Sequence, residues 1–355
     1  MPFLKNAWHM IGWSNELDGP GKLVHRTISN EAIVVYRKEN GDIAALADRC
    51  PHRFVPLHRG KVVGDTLQCG YHGLRFAGDG MCVHHPVSGA PIPNAARVRS
   101  FPAVDRHSGL WVWLGDPALV DESTIPPYDF LDDPTRGNVR GYMLTHCNYQ
   151  LAIDNLADLT HVQFVHSEYQ ASEAYERLTN EVRQDGNTVF TTLTFPDGIS
   201  PPFFVNALPD PDMRIDLVNQ IRWDAPSNAR LTIHGYRPGD RSEALFSVLS
   251  AHIVTAETES TCHYFFCNSR NYAVGDPAAD QKVRDWQRIG FTEQDKPMLE
   301  AQQAMVGEQD LMSLRPVLLA TDAGSVRIRR VLKGLMESES QRVADSQRPA
   351  QAVAV

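Results

Sequence analysis

Residues 50–52 read Cys-Pro-His and residues 69–72 read Cys-Gly-Tyr-His, with sixteen residues between His52 and Cys69. Each half offers one thiolate and one imidazole from a short, turn-rich stretch: Pro51 and Arg53 flank His52, and Gly70 and Gly73 frame the second half. A chain carrying this pair must bring two loops to one metal centre, so it needs a rigid frame beneath them. Two Cys and two His suit zinc, but zinc fingers group the cysteines together and the histidines together. Here each loop holds one of each.

That alternation is what a Rieske [2Fe–2S] cluster requires, with both thiolates on one iron and both imidazoles on the other. Neutral imidazole in place of thiolate removes negative charge and raises the reduction potential above that of plant-type ferredoxins. Such a cluster accepts electrons from a flavin or ferredoxin partner. The surrounding residues support a small all-β frame. Ala32-Ile-Val-Val-Tyr-Arg and Ile43-Ala-Ala-Leu are β-branched or apolar runs separated by the turn signal Asn40-Gly41. Further turns are signalled at Gly64-Asp65, Gly78-Asp79-Gly80 and Ser88-Gly89, before the bulky run Leu110-Trp-Val-Trp-Leu. The other four cysteines, Cys82, Cys147, Cys262 and Cys267, have no partner spacing and read as small apolar core residues.

The 355 residues suit two domains. With 34 basic and 43 acidic residues, net charge −9, the chain lacks the basic footprint that nucleic acid requires. Six cysteines are too sparse for a disulfide scaffold. Met1 to Leu17 lacks the apolar core of a signal peptide, and no run approaches the ~18 apolar residues of a membrane helix. The expected setting is therefore cytoplasmic, with no membrane contact. The expected fold class is α+β. Residues 1–116 form the all-β domain, and 117–136, rich in proline and acid, form a linker or crossing segment. Residues 137–337 form a domain of antiparallel sheet and helices, and 338–355 a frayed tail. Helical periodicity covers Asn148 to Val165, Ala278 to Met312 with an interruption at Pro297, and Gly324 to Glu337.

The first of those helices carries Asp154-Asn-Leu-Ala-Asp158-Leu-Thr-His161, and His166 follows. Asp158 and His161, three apart, share a face. His161 and His166, five apart, lie about 140° apart around a straight helix. They converge on one metal only if the helix ends or bulges between them, as helices often do at functional sites. Two such imidazoles and one carboxylate make the facial triad of oxygen-activating ferrous sites. The bland alternative is a helix with a wet polar face, and spacing alone does not identify the carboxylate.

Together, C-P-H…C-G-Y-H and D-N-L-A-D-L-T-H-V-Q-F-V-H resemble the oxygenase component of Rieske non-heme iron oxygenases. Lys5-Asn-Ala-Trp, Cys50-Pro-His-Arg, Gly70-Tyr-His-Gly-Leu, Trp111-Val-Trp, Cys147-Asn-Tyr and Cys262-His-Tyr-Phe-Phe resemble the vanillate and dicamba O-demethylase subgroup. The resemblance implies an N-terminal Rieske domain and a C-terminal helix-grip (START-like) catalytic domain. It also implies a head-to-tail homotrimer, and electrons from NADH through a separate reductase of flavin and ferredoxin type or a separate ferredoxin. By the resemblance, Cys50, His52, Cys69 and His72 match the cluster ligands. His161 and His166 match the ligands of a mononuclear Fe2+, and Asp295, in Glu293-Gln-Asp-Lys, matches the third. Asp158 matches the residue that links a Rieske histidine of one subunit to an iron histidine of the next, and Asn155 a nearby polar residue. His252 and Trp286 match positions lining the substrate cavity. Thr232 falls where the dicamba enzyme has an amide near its substrate's acid group, a departure that bears on recognition of a carboxylate.

The implied function is O2-dependent oxidation of a small substituted aromatic compound, foremost O-demethylation of a methoxy-aromatic acid with release of formaldehyde. Ring-methyl hydroxylation and diaryl-ether dioxygenation use the same machinery and differ only in pocket shape. A Rieske electron carrier without catalysis is the reading from another class. The ~240 residues beyond the cluster domain, enough for a second full domain, argue against it.

Overall fold

The computed structural model describes residues 3–170 and 173–346. The N-terminal unit is all-β. One antiparallel sheet joins Leu23–Ile28, Glu31–Arg37, Ile43–Ala47 and Ser100–Phe101. A second joins Lys61–Val63, Thr66–Gln68, Arg75–Ala77 and Cys82–His84, and a third joins Trp8–Trp13, Gly109–Trp113 and Ala103–Arg106. The strand Glu31–Arg37 explains the arrangement. Its β-branched residues alternate between two cores, with Ile33 and Val35 packing beside Ile11, Leu110 and Val112. Val34 and Tyr36 pack on the other side with Leu67, Phe76 and the thiol-bearing Cys50 and Cys69. The roots of both ligand loops therefore rest on a strand buried from both sides.

Residues 117–136 are not a loose linker. Asp116 and Asp121 accept the Ala118 and Ser123 amides and start short 3-10 turns. Ile125, Tyr128, Phe130 and Leu131 are buried in a core shared with Trp8, Trp111 and Trp113 on one side and Ile253 and Phe265 on the other. The segment is a packed strap between the two units.

The C-terminal unit is one antiparallel sheet of seven strands: β1 (Gly137–Thr145), β2 (Thr179–Asp185), β3 (Thr188–Ile199), β4 (Arg214–Asp224), β5 (Asn228–Arg237), β6 (Asp240–Ala256) and β7 (Cys262–Arg270). The strands lie in the order β1-β7-β6-β5-β4-β3-β2. Its helices include α1 (Tyr149–Ala157), α2 (Val162–Val165), α3 (Pro277–Gln287), α4 (Lys296–Val306) and α5 (Ala323–Ser346). Leu151, Ile153 and Leu156 of α1 enter the main core with Leu193, Leu217 and Phe246 from the sheet and Ile328 from α5. The fold is the expected α+β architecture.

Two details differ from the sequence reading. The long helical stretch is distorted before Pro297 rather than at it: α3 runs into a π-helical segment, Arg288–Asp295, and α4 follows. Pro297 sits in the first turn of α4, where its missing N–H costs little. The tail does not fray at residue 338, because α5 continues to Ser346, and residues 347–355 lie outside the described residues.

Candidate metal centres and substrate cavity

The two ligand loops, Cys-x-His and Cys-x-x-His, are built alike. The Cys50 amide donates to the Val55 carbonyl while the Phe54 amide donates back to Cys50 O. The Cys69 amide donates to Leu74 O while Gly73 donates back to Cys69 O. Both turns close through a left-handed residue four positions after the cysteine, Phe54 at φ 59° and Gly73 at φ 74°. The loops press together so closely that a Cβ on Gly60 would lie 1.8 Å from the Gln68 carbonyl oxygen. Cys50 and Cys69 are buried and free. His52 and His72 are exposed, with ring centroids 4.5 Å apart. Buried thiols below and paired imidazoles at the rim form a donor set that fits a [2Fe–2S] cluster with one edge open to a partner.

The second centre forms where α1 stops. Asp158 leaves the helical conformation (φ −116°, ψ 91°) and caps both α1 and the 3-10 turn Leu159–His161. His166 follows the single turn of α2. The helix thus ends rather than bulges between Asp158 and the histidines, and the π segment lies instead beneath the third residue, Asp295. The ligand atoms of His161, His166 and Asp295 all lie within 4.8 Å of one another. Asp295 Oδ1 is 3.6 Å from His161 Nε2 and 3.3 Å from His166 Nε2. This oxygen is buried and has no hydrogen-bond partner among the described residues. Each imidazole turns its other nitrogen to a carbonyl acceptor: His161 Nδ1 lies 2.7 Å from Asp158 O, and His166 Nδ1 lies 2.8 Å from Gln294 Oε1. With Nδ1–H donating there, both Nε2 lone pairs face the orphaned carboxylate oxygen. Two imidazoles and one carboxylate with open positions suit a ferrous ion. Burial holds His161 below the ordinary imidazole value. For His166 burial is outweighed by Asp295 and Gln294 beside it, and its value rises.

A narrow cavity of about 50 Å³ adjoins this triad. Its walls are apolar side chains of Phe203, Phe204, Leu231, Ile233, Val248, Trp286 and Phe291, with Asn155, Asn219, Asn268 and His252 as polar points. Trp286 meets His166 edge-on at 5.1 Å. His252 is fully buried, and burial lowers its pKa to about 4, so it is neutral. Its Nδ1 lies 2.6 Å from the Tyr264 hydroxyl. With the hydroxyl donating, His252 Nε2–H is left without a partner, and Asn219 Oδ1 is unpartnered as well.

Of the expected cavity residues, His252 and Trp286 line it and Thr232 does not; Asn155, expected only as a polar residue near Asp158, lines it as well. Leu231 and Ile233 face inward, so the strand's two-residue alternation turns Thr232 to the opposite face. There it pairs in register with Gln220, which donates to Thr192. The sequence reading missed Gln294 and Asn219. The signal for Asn219 was available, since it alternates with the apolar Leu217 and Ile221 along β4.

The sequence of this chain matches two family models, the Rieske [2Fe–2S] domain over residues 7–102 and the vanillate O-demethylase oxygenase C-terminal domain over residues 145–338. This chain belongs to the Rieske non-heme iron oxygenases. It is 38% identical over 341 residues to the oxygenase component of dicamba O-demethylase from Stenotrophomonas maltophilia, covering 96% of this chain and 100% of the relative. It is 37% identical over 344 residues to the oxygenase component of chloroacetanilide N-alkylformylase from Rhizorhabdus wittichii, covering 95% and 97%. Its structure superposes on dicamba monooxygenase with non-heme iron and dicamba at a TM-score of 0.83, with 35% identity and coverage of 96% and 100%. As a Rieske oxygenase component of monooxygenase type, it uses a [2Fe–2S] cluster, a mononuclear iron and O2. It takes electrons through a reductase or ferredoxin partner and acts on an aromatic substrate. No helix among the described residues is long and apolar enough to cross a membrane.

Proposed function

We propose that this oxygenase O-demethylates a methoxy-aromatic acid. The overall change is ArOCH3 + O2 + 2e− + 2H+ → ArOH + CH2O + H2O. A methoxy C–H is hydroxylated, and the hemiacetal collapses to phenol and formaldehyde. The observation that carries the reading is the convergence of His161, His166 and Asp295 at one end of an aromatic-walled cavity whose polar points are neutral.

In this reading Cys50, His52, Cys69 and His72 hold the cluster, and His161, His166 and Asp295 hold Fe2+. When bound, the cluster supplies electrons and the ferrous ion supplies O2 activation. The protein's own part is to bind, orient and exclude water. Trp286 offers a flat face to the substrate ring. Phe203 now lies 5.6 Å from Trp286 in the narrow cavity, so ring binding displaces it. His252 Nε2–H, polarised by no charge of its own, donates to the substrate's acid group or ether oxygen, and the Asn219 amide is a second contact. The apolar walls keep bulk water away.

Asp158 is the proposed electron link. Its Oδ1 accepts from the Thr160 amide (2.9 Å) and hydroxyl (2.6 Å), and its backbone oxygen orients His161. Oδ2 makes no hydrogen bond or ion pair among the described residues. That oxygen suits a Rieske imidazole of the next copy in a head-to-tail homotrimer. One carboxylate then orients both rings and shortens the electron path.

The test supplies purified holoenzyme with a compatible reductase and NADH, then screens methoxybenzoates, methylbenzoates and phenoxybenzoates under O2. Formaldehyde equimolar with O2 consumed supports demethylation. Benzyl alcohols or catechols as the main products, with no formaldehyde, overturn it in favour of methyl hydroxylation or ether cleavage.

A further inference from the structure

Two different surfaces adjoin the exposed histidines of the cluster site. One is a groove of about 560 Å³ lined by Pro51, Leu74, Pro86, Val87, Ile92 and Pro93, which carries no Lys, Arg, Asp or Glu. The other is formed by the charged residues of the first ligand turn and its continuation, residues 49–61. It exposes Arg49, Arg53, Arg59 and Lys61 and contains no carboxylate. None of these four cations has an ion-pair partner among the described residues, whereas the exposed Arg99, Arg214 and Arg288 are each paired with a carboxylate. Asp48, just before the turn, is buried and committed to the His58 side chain and amide.

Phe54 stands within this basic turn. It is 62% exposed, and the Arg49 guanidinium lies 4.1 Å over its ring. Its φ of 59° is costly for a bulky aromatic residue. The equivalent position of the second ligand turn is Gly73, which meets the same backbone demand without strain. A large ring kept in solvent at a strained position contributes little to this chain's own core. Strained residues of this kind cluster at functional sites.

Permanent interfaces between copies are large and apolar, whereas electron-transfer encounters are small, polar and electrostatically steered. We propose that the turn carrying Arg49, Arg53, Phe54, Arg59 and Lys61 is the docking surface for an acidic, ferredoxin-type electron donor. The apolar groove is left to the neighbouring copy. The cations steer the donor, and the Phe54 ring seats it beside His52. This rests on the reading above that the cluster takes its electrons from a separate protein.

The experiment uses holoenzyme and, as probe, a reduced plant-type [2Fe–2S] ferredoxin of acidic charge, with cluster reduction followed by stopped-flow absorbance. Substrate is omitted, so the result does not depend on which aromatic compound is oxidised. A failed demethylation screen with normal cluster reduction would count against the proposed reaction alone. The double variant R49E/R53E should lower the bimolecular rate constant at low salt by about tenfold or more and flatten its fall with ionic strength. F54G should slow reduction while leaving the melting temperature unchanged or higher, because the strain is relieved. Both variants should reduce fully with dithionite and keep the parent's oligomeric state on gel filtration. Rate constants within twofold of the parent, or an unchanged salt slope, would overturn the proposal. Dissociation of either variant into smaller species would also overturn it, by assigning the turn to the contact between copies.

Discussion

Gln294 and Asp295, adjacent in the chain, reach opposite nitrogens of one imidazole: Gln294 Oε1 lies 2.8 Å from His166 Nδ1 and Asp295 Oδ1 lies 3.3 Å from its Nε2. The π segment that ends at Asp295 presents both. A bare Nε2 requires the proton on Nδ1, and Gln294 supplies the acceptor that keeps it there. Groups of this kind typically contribute 10–100-fold to metal affinity. Gln294→Met should therefore weaken Fe2+ binding by about that factor, measured by anaerobic chelator competition. Gln294→Glu, which keeps an acceptor, should bind at least as tightly as the parent. The [2Fe–2S] absorbance should not change in either variant.

Asp158→Asn keeps the contact with Thr160 but removes the charge. If Asp158 links the two centres, turnover should fall about 100-fold. Cluster reduction and iron content should stay at parental levels, and rapid-freeze EPR would show reduced cluster accumulating.

The approach of Gly60 to Gln68 leaves no room for a side chain. Gly60→Ala should force the two ligand loops apart and lose the visible Rieske absorbance. Circular dichroism of the seven-stranded sheet should persist, because that unit has its own core.

His9 is fully buried, lies 3.0 Å from the Leu4 carbonyl through Nε2, and is lowered to about 4 by burial. The unfolded chain takes up this proton at about 6.5 and the folded chain only near 4. Stability is therefore full above pH 6.5 and falls as pH drops through that window, by up to about 3 kcal/mol from this group. Melting temperatures of His9→Gln should fall less steeply between pH 6.5 and 4 than those of the parent.

Arg329 of α5 grips Asp154 of α1 with Nε and Nη2, at 2.6 to 3.0 Å, and reaches Gln150 through Nη1. Burial raises the Asp154 carboxyl, and the arginine opposes that shift. Arg329→Met strands a buried carboxylate and should cost about 3–5 kcal/mol in denaturant titration. Adding Asp154→Leu should recover most of it.

The four proposed cluster ligands stand out in the sequence because chemically distinctive residues fall at fixed spacing in two short loops, where local turn chemistry decides the geometry. His161 and His166, on either side of α2, were legible for the same reason, but how the chain lets them converge was not. The break depends on Asp158 capping in both directions, a backbone choice that spacing does not encode. Asp295 came only through family resemblance, since nothing local relates it to a helix more than a hundred residues earlier. Thr232 stands between the wall residues Leu231 and Ile233, and in a strand one position changes the face. Gln294 escaped notice because a glutamine on a polar helical stretch gives no periodic signal. The extension of α5 past Glu337 was hidden by a polar sequence that has no apolar stripe to mark it.

The proposed iron donors sit in the turns on either side of α2 and at the end of the π segment, whereas much of the cavity wall is alternate inward positions of β4, β5 and β6. A bulkier or smaller residue at Leu231, Ile233 or Val248 reshapes the chamber without disturbing the His161, His166 and Asp295 donor atoms. Selectivity and reactivity thus reside on separate parts of the scaffold. A lineage built this way can exchange one aromatic diet for another by a handful of wall substitutions.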